Sequence, residues 1–226
     1  MDIRHFYLEK GTGRPLILLH GNGADSGYFK GQINAFAGRY HVYAIDTRGH
    51  GRTPRGGMPF TIHQFADDLL GFMDAHQIGK AHLLGFSDGA NVAMVFAMRH
   101  PDRVDRLILN GANLNASGVK RSTQIPIELG YRIAKHFAGK SESAGRNVEM
   151  LGLMVNDPNV PPSELAGIRA NTLVIAGTRD MIKEAHTRLI AESIPDAKLV
   201  FLKGNHFIAN RRPEEFNRAV LDFLRS

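Results

Sequence analysis

The chain has 226 residues, 43% of them hydrophobic and 22% charged, which excludes a disordered protein and is enough for one large domain. It contains no cysteine, so disulfides, cysteine-ligated zinc and thiol catalysis are excluded. The formal charge is +6, but the basic residues are scattered and their densest pairs are only Lys120-Arg121 and Arg211-Arg212. A solvated basic surface that attracts small anions weakly is therefore expected, and no nucleic-acid partner.

The opening MDIRHFYLEKGTGRP has no apolar core of signal-peptide length, and no later run is long enough to span a bilayer. These features predict a cytoplasmic chain with no membrane partner, and they set no oligomeric state. Ile3–Leu8 and Pro15–Leu19 read as the first two strands, the second ending in His20-Gly21-Asn22-Gly23. His41–Ile45 is the third and runs into Asp46-Thr47-Arg48-Gly49-His50-Gly51. Thr61–Ile78 reads as a helix capped by Thr61, with Phe65, Leu69, Phe72 and Met73 on one face. The strand Ala81–Phe86, a helix over Gly89–Arg99 and the strand Arg106–Leu109 follow.

After Asn110 the alternation breaks, and no strand is legible before Thr172. Ser122–Phe137 and Ser143–Val155 read as helices, and Asp157-Pro158 with Pro161-Pro162 punctuate the return to the core. This insertion, roughly residues 114–165, predicts a short helical lid over the C-terminal edge of the sheet. Thr172–Ala176 and Lys198–Leu202 are the last strands, with helices over Lys183–Ile194 and Pro213–Leu224. Pro213 suits a first helical turn. The cores LILL, HLLGF, LIL and LVIA are apolar without alternation, as strands buried on both faces are. The pattern predicts a single α/β domain over residues 1–226, with a mostly parallel central sheet flanked by helices.

Gly85-Phe86-Ser87-Asp88-Gly89 follows a buried strand and opens a helix, matching the elbow G-x-S-x-G that presents a serine above a sheet. Either glycine would clash if it carried a Cβ, because strand and helix nearly touch there. The motif alone is weak, and its placement gives it force. A serine nucleophile needs a base, and the base needs an orienting carboxylate. Gly177-Thr178-Arg179-Asp180 puts Asp180 just past a strand, and Gly204-Asn205-His206-Phe207 puts His206 on the loop before the last helix. The other position for an acid, after Arg106–Leu109, reads Asn110-Gly111-Ala112-Asn113 and holds no carboxylate. Backbone N–H groups of Asn22 and Asp88 are the candidate donors to an oxyanion, unless HGNG is an ordinary glycine-rich turn.

The Asp88 side chain has two readings. It caps the following helix, or it pairs with a cationic group on a substrate such as a free α-amine. No metal site is expected, since His41 and His82 lie in strands and His186, near Glu184, has no matched partner on its helix.

On these residues the chain resembles the α/β-hydrolase superfamily: HGNG at 20–23, DTRGHG at 46–51, GFSDG at 85–89, GTRD at 177–180 and GNHF at 204–207. The resemblance covers nearly the whole length and looks nearest to small esterases and aminoacyl-ester hydrolases. It implies Asp46 and Arg48 as structural residues holding their turn through their ion pair or hydrogen bonds, and a leading antiparallel strand that is shortened or absent. It also implies a serine esterase that needs no cofactor and acts on a small acyl substrate through an acyl-enzyme. Hydrolysis of a C–C or amide bond with the same triad, or a slow-turnover ligand sensor, are the alternatives. Of the lid's apolar candidates Ile127, Leu129, Phe137, Met150, Leu151 and Met154, part must pack on the core. A small pocket preferring short acyl chains is therefore expected.

Overall fold

The structure, a computed structural model, describes residues 2–226. Seven strands form one sheet in the order β1-β3-β2-β4-β5-β6-β7. They are β1 (Tyr7–Lys10), β2 (Arg14–Leu19), β3 (Tyr40–Ile45), β4 (Ala81–Phe86), β5 (Val104–Asn110), β6 (Asn171–Gly177) and β7 (Lys198–Leu202). All neighbours are parallel except β1, which pairs antiparallel with β3. The chain builds outward from β2 to one edge, then crosses to β4 and builds toward the other. The direction of winding thus reverses between β2 and β4. In open α/β sheets the crevice beyond the carboxyl ends of such a strand pair is where ligands bind.

Both faces of the sheet are covered, which is why its central strands read as unbroken apolar runs. Leu16, Ile17, Leu18 and Leu19 are all buried, yet Ile17 and Leu19 join one core while Leu16 and Leu18 join the other. That division follows from the two-residue period of a strand. One core is closed by α1 (Lys30–Phe36) and α8 (Pro213–Arg225), through Ile33, Phe36, Phe216 and Val220. The other is closed by α2 (Ile62–Ala75), α3 (Asp88–Arg99) and α6 (Glu184–Ser193). Thr61 caps α2 as its position predicts, its hydroxyl accepting the N–H of Gln64 at 3.1 Å.

Two expectations at the start of the chain need correction. The leading antiparallel strand is short, four residues over Tyr7–Lys10, and its bounds are not Ile3–Leu8. Ile3 is buried, but Phe6 bonds to the loop after β3, its N–H to the Thr53 hydroxyl and its carbonyl to the N–H of Asp46. Asp46 and Arg48 both hold that loop, though not by pairing with each other. Asp46 accepts the backbone N–H groups of Ser26 at 2.7 Å and Arg52 at 2.8 Å. Arg48 is fully buried and forks onto Asp68 with two 2.7 Å bonds, while reaching Asp2 at 2.7 and 3.0 Å. The Arg48 guanidinium holds the Asp2 carboxyl far below the usual carboxylate range.

Within the stretch 114–165 lie α4 (Arg121–Phe137) and α5 (Glu142–Asn156), which pack on each other beyond the C-terminal edge of the sheet. A short helix, α7 (Ile208–Arg211), precedes α8. Among the described residues no helix is long and apolar enough to cross a membrane.

Candidate active site

Ser87 sits at the turn from β4 into α3 with φ 54° and ψ −121°, a conformation that costs free energy for any residue with a Cβ. The surroundings hold it there. Its N–H donates to the Asn110 carbonyl at 2.8 Å, and its own carbonyl accepts from Ala90 at 2.8 Å and Asn91 at 3.0 Å. A Cβ on Gly85 would lie 2.2 Å from the Gly89 carbonyl oxygen, and one on Gly89 would lie 2.0 Å from that of Leu19. Both elbow glycines are therefore set by close backbone approach.

His206 and Asp180 meet from the loops after β7 and β6. The Nδ1 of His206 lies 2.7 Å from Asp180 Oδ1, with both side chains buried. Burial alone would raise the Asp180 pKa, but bonds from His206 and from the N–H groups of Ile182 and Gly177 outweigh it and hold the carboxyl below its ordinary value. Its loop is fixed from outside. The Lys120 ammonium donates to the Asp180 carbonyl at 2.5 Å, and backbone bonds Lys120 to Met181 and Lys183 to Gly118 close the other side. With one nitrogen held by Asp180, the other, Nε2, is buried and has no hydrogen-bond partner.

Ser87 and His206 line one cavity of about 330 Å³. Gly21 and Asn22 after β2, Phe86, Met181 and Phe207 complete its floor and sides, while Thr123 of α4 and Met150, Leu151 and Met154 of α5 stand on the helical side. Phe86 is pinned by stacking on Tyr28 at 4.4 Å and sets its ring 4.9 Å from that of His206. Of the six apolar candidates in the helical stretch, Met150, Leu151 and Met154 reach the cavity. Leu129 and Phe137 are instead exposed, at 58% and 46%.

Asn22 lines the cavity from the loop after β2, and Asp88 follows Ser87 as the first residue of α3. The Asn22 side-chain amide donates to the Met150 carbonyl of α5 at 2.6 Å, a tie across 128 residues of chain. Next to it Arg55 forks onto Glu149 at 2.6 to 2.9 Å, so α5 is fastened at two successive residues. Neither reading of the Asp88 side chain is seen. It makes no cap bond to its helix, and it is absent from the groups lining the cavity. Its Oδ1 accepts from Asn91 Nδ2 at 3.3 Å, and its buried Oδ2 has no partner. Burial, reinforced by the nearby Asp157 carboxyl, pushes its pKa up to about 6.

Two contributors escaped the sequence. Gly111, at φ +66°, leaves room for the histidine: a Cβ there would lie 2.7 Å from His206 Cε1 and 3.6 Å from Asp180 Oδ2. The available signal is a glycine directly after a buried strand, where the sequence offers no carboxylate. The Asn22 amide has no local pattern to announce it, because its partner is set by tertiary folding. His186 acts structurally, its Nε2 accepting the Leu114 N–H at 2.9 Å.

Comparison with known proteins agrees with this architecture. The family profile described as alpha/beta hydrolase fold matches residues 14–132. The chain is 30% identical to the carbamate-hydrolase homologue RutD of Rhizobium rhizogenes, covering 97% of this chain and 95% of that protein. It is also 30% identical to a 2-hydroxy-6-oxo-6-phenylhexa-2,4-dienoate hydrolase of Comamonas testosteroni, covering 99% and 92%. Among solved structures, a hydrolase from Pseudomonas aeruginosa superposes with a TM-score of 0.79 at 28% identity, covering 98% of this chain and 94% of that one. An enol-lactonase from Burkholderia xenovorans gives 0.78 at 25%, covering 98% and 96%. A profile match over more than half of the chain, and likeness along nearly all of it, together show that this protein belongs to the α/β-hydrolase fold family.

Proposed function

We propose that the chain is a serine hydrolase cleaving a small, uncharged carboxylic ester or related acyl bond through an acyl-enzyme. One observation carries the reading: a strained serine at the winding reversal shares an apolar cavity with a histidine whose other nitrogen is held by a buried carboxylate. In this reading His206 Nε2 takes the Ser87 proton as the hydroxyl oxygen attacks the acyl carbon. The carbonyl electron pair moves onto oxygen, where the N–H groups of Asn22 and Asp88 stabilise it. The pair returns, the alcohol leaves with the proton from His206, and water repeats the sequence to free the acid. Asp180 keeps the imidazole in the required tautomer and stabilises its cation. Met150, Leu151 and Met154 serve as a lid that keeps water from the acyl group.

The ester reading is preferred over C–C bond hydrolysis on charge. The Comamonas relative is named for a dienoate, which carries a carboxylate, whereas the residues lining this cavity include no lysine or arginine. Burying an anion there without a partner would be costly. The test is turnover of a panel of neutral esters, thioesters and amides, with labelling by a fluorophosphonate probe. Wild type should turn over a neutral ester and be labelled at Ser87, and Ser87→Ala should lose roughly a thousandfold or more of kcat while keeping its fold. Near wild-type turnover in Ser87→Ala, or labelling elsewhere, would sink the assignment. Binding without turnover would favour a sensor.

A further inference from the structure

Seven large apolar side chains are exposed among the described residues, and four of them, Ile125, Leu129, Ile133 and Phe137, lie on α4. Spaced four apart, they form a single ridge along the helix. The buried side of α4, marked by Gln124 and Ala134, lies opposite on the helix, so the ridge faces away from the protein body. The helix is thus apolar on its exposed side, with Ile133 and Phe137 also bordering α5.

The charge around this ridge is one-sided. Arg121, Arg132, Lys135 and Lys140 are all exposed, and none has an ion-pair partner among the described residues. Glu128 is the one acidic residue in the same stretch. The Lys140 ammonium stands 5.8 Å above the Phe137 ring, directly beside the end of the ridge. A groove of about 620 Å³ runs between α4 and α5, lined in part by Ile133, Ala134, Phe137, Leu151 and Lys140. Leu151 also lines the cavity holding Ser87, so one side chain separates the groove from the candidate active site.

We propose that α4 docks this protein on an anionic lipid surface. The four apolar side chains enter the boundary between headgroups and acyl chains, and the four cations meet headgroup phosphates while their stems lie along the apolar layer. The expectation of no membrane partner rested on the absence of a spanning segment, which surface docking does not require. A second copy of the chain fits the ridge less well, because a symmetric contact brings the same unpaired cations together. A peptide also fits less well, because peptides seat in grooves and only Ile133 and Phe137 border the groove beside α5, while Ile125 and Leu129 stand outside it.

The docking is independent of the proposed reaction and is read without turnover. The full chain is sedimented with phosphatidylcholine vesicles, and with vesicles in which about one third of the lipid is phosphatidylglycerol, at low and high salt. Binding to the anionic vesicles alone, weakened by salt, is expected. Leu129→Glu with Ile133→Glu, and separately Arg132→Glu with Lys135→Glu, should each weaken partition about tenfold or more. Both pairs should keep wild-type circular dichroism and wild-type turnover of a water-soluble ester. No binding by wild type, equal binding to both vesicle types, or binding unchanged in the apolar pair with its fold intact would overturn the proposal. So would lipid-free self-association that the apolar pair abolishes, which would give the ridge to a second copy.

Discussion

Asp88 shows what a single buried carboxyl does to the balance around it. In the unfolded chain it ionises near 3.8, and in the folded protein near 6, because burial disfavours the charged form. Between those values the folded state binds more protons than the unfolded state. The contribution of Asp88 to stability is therefore fully present below about pH 4 and is lost as the pH rises through about 6. The loss is on the order of 3 kcal/mol once ionisation is complete. Asp88→Asn removes the ionisation and nearly keeps the shape, so it should stabilise the protein at pH 7.5 and have little effect at pH 4. Urea midpoints at four pH values measure this, and an effect of constant size or opposite sign would refute it. The identity of Asp88 and its place after Ser87 were legible in the sequence. Its surroundings were not, because Asn91 is bonded to Asn113 and Asp157 arrives from the end of α5, contacts that no local spacing encodes.

The secondary-structure elements were legible where burial and pairing coincide. The four central strands are covered on both faces and read as unbroken apolar runs; Ile3 is buried without pairing, so apolar content alone starts the first strand too early. The seven-residue α1 contains a glycine and is too short to show a helical period. The two helices of the stretch 114–165 fall within one residue of the runs Ser122–Phe137 and Ser143–Val155, α4 at Arg121–Phe137 and α5 at Glu142–Asn156. Which of their apolar residues face the cavity was not legible, because α4 carries apolar groups on more than one side. With α5 fastened by Arg55 and Asn22, the methionines of α5 bound a cavity of about 330 Å³. A series of p-nitrophenyl esters should peak at short acyl chains, ~C2 to C6, and fall for longer ones. Met154→Ala should move the peak to longer chains by opening that wall. An optimum at long chains in wild type would count against the cavity as the acyl site.

At the scale of the whole molecule, the site lies where the winding of the sheet reverses, and the alternation of strands and helices already implied such a crevice. Nothing in that alternation specifies how the loops around it are held, and Arg48 is the clearest case. It joins the N-terminal segment at Asp2, the loop after β3 and helix α2 at Asp68, and it is the largest fully buried side chain among the described residues. The sequence indicated that Arg48 was structural but suggested Asp46 as its partner, since neighbours in a motif are visible and partners across helices are not. A buried ion pair need not be stabilising in sum, because both charges leave water; breaking one, however, strands the survivor. Arg48→Met should leave Asp68 buried and unpaired, and should cost about 3 to 5 kcal/mol. Arg48→Met combined with Asp68→Leu removes both charges and should recover much of that loss, leaving mainly the cost of the freed Asp2 and loop carbonyl. Urea unfolding of wild type, Arg48→Met, Asp68→Leu and the double variant decides the matter. If the double variant is as unstable as the sum of its single changes, Arg48 and Asp68 are energetically uncoupled and the stranded-charge account fails.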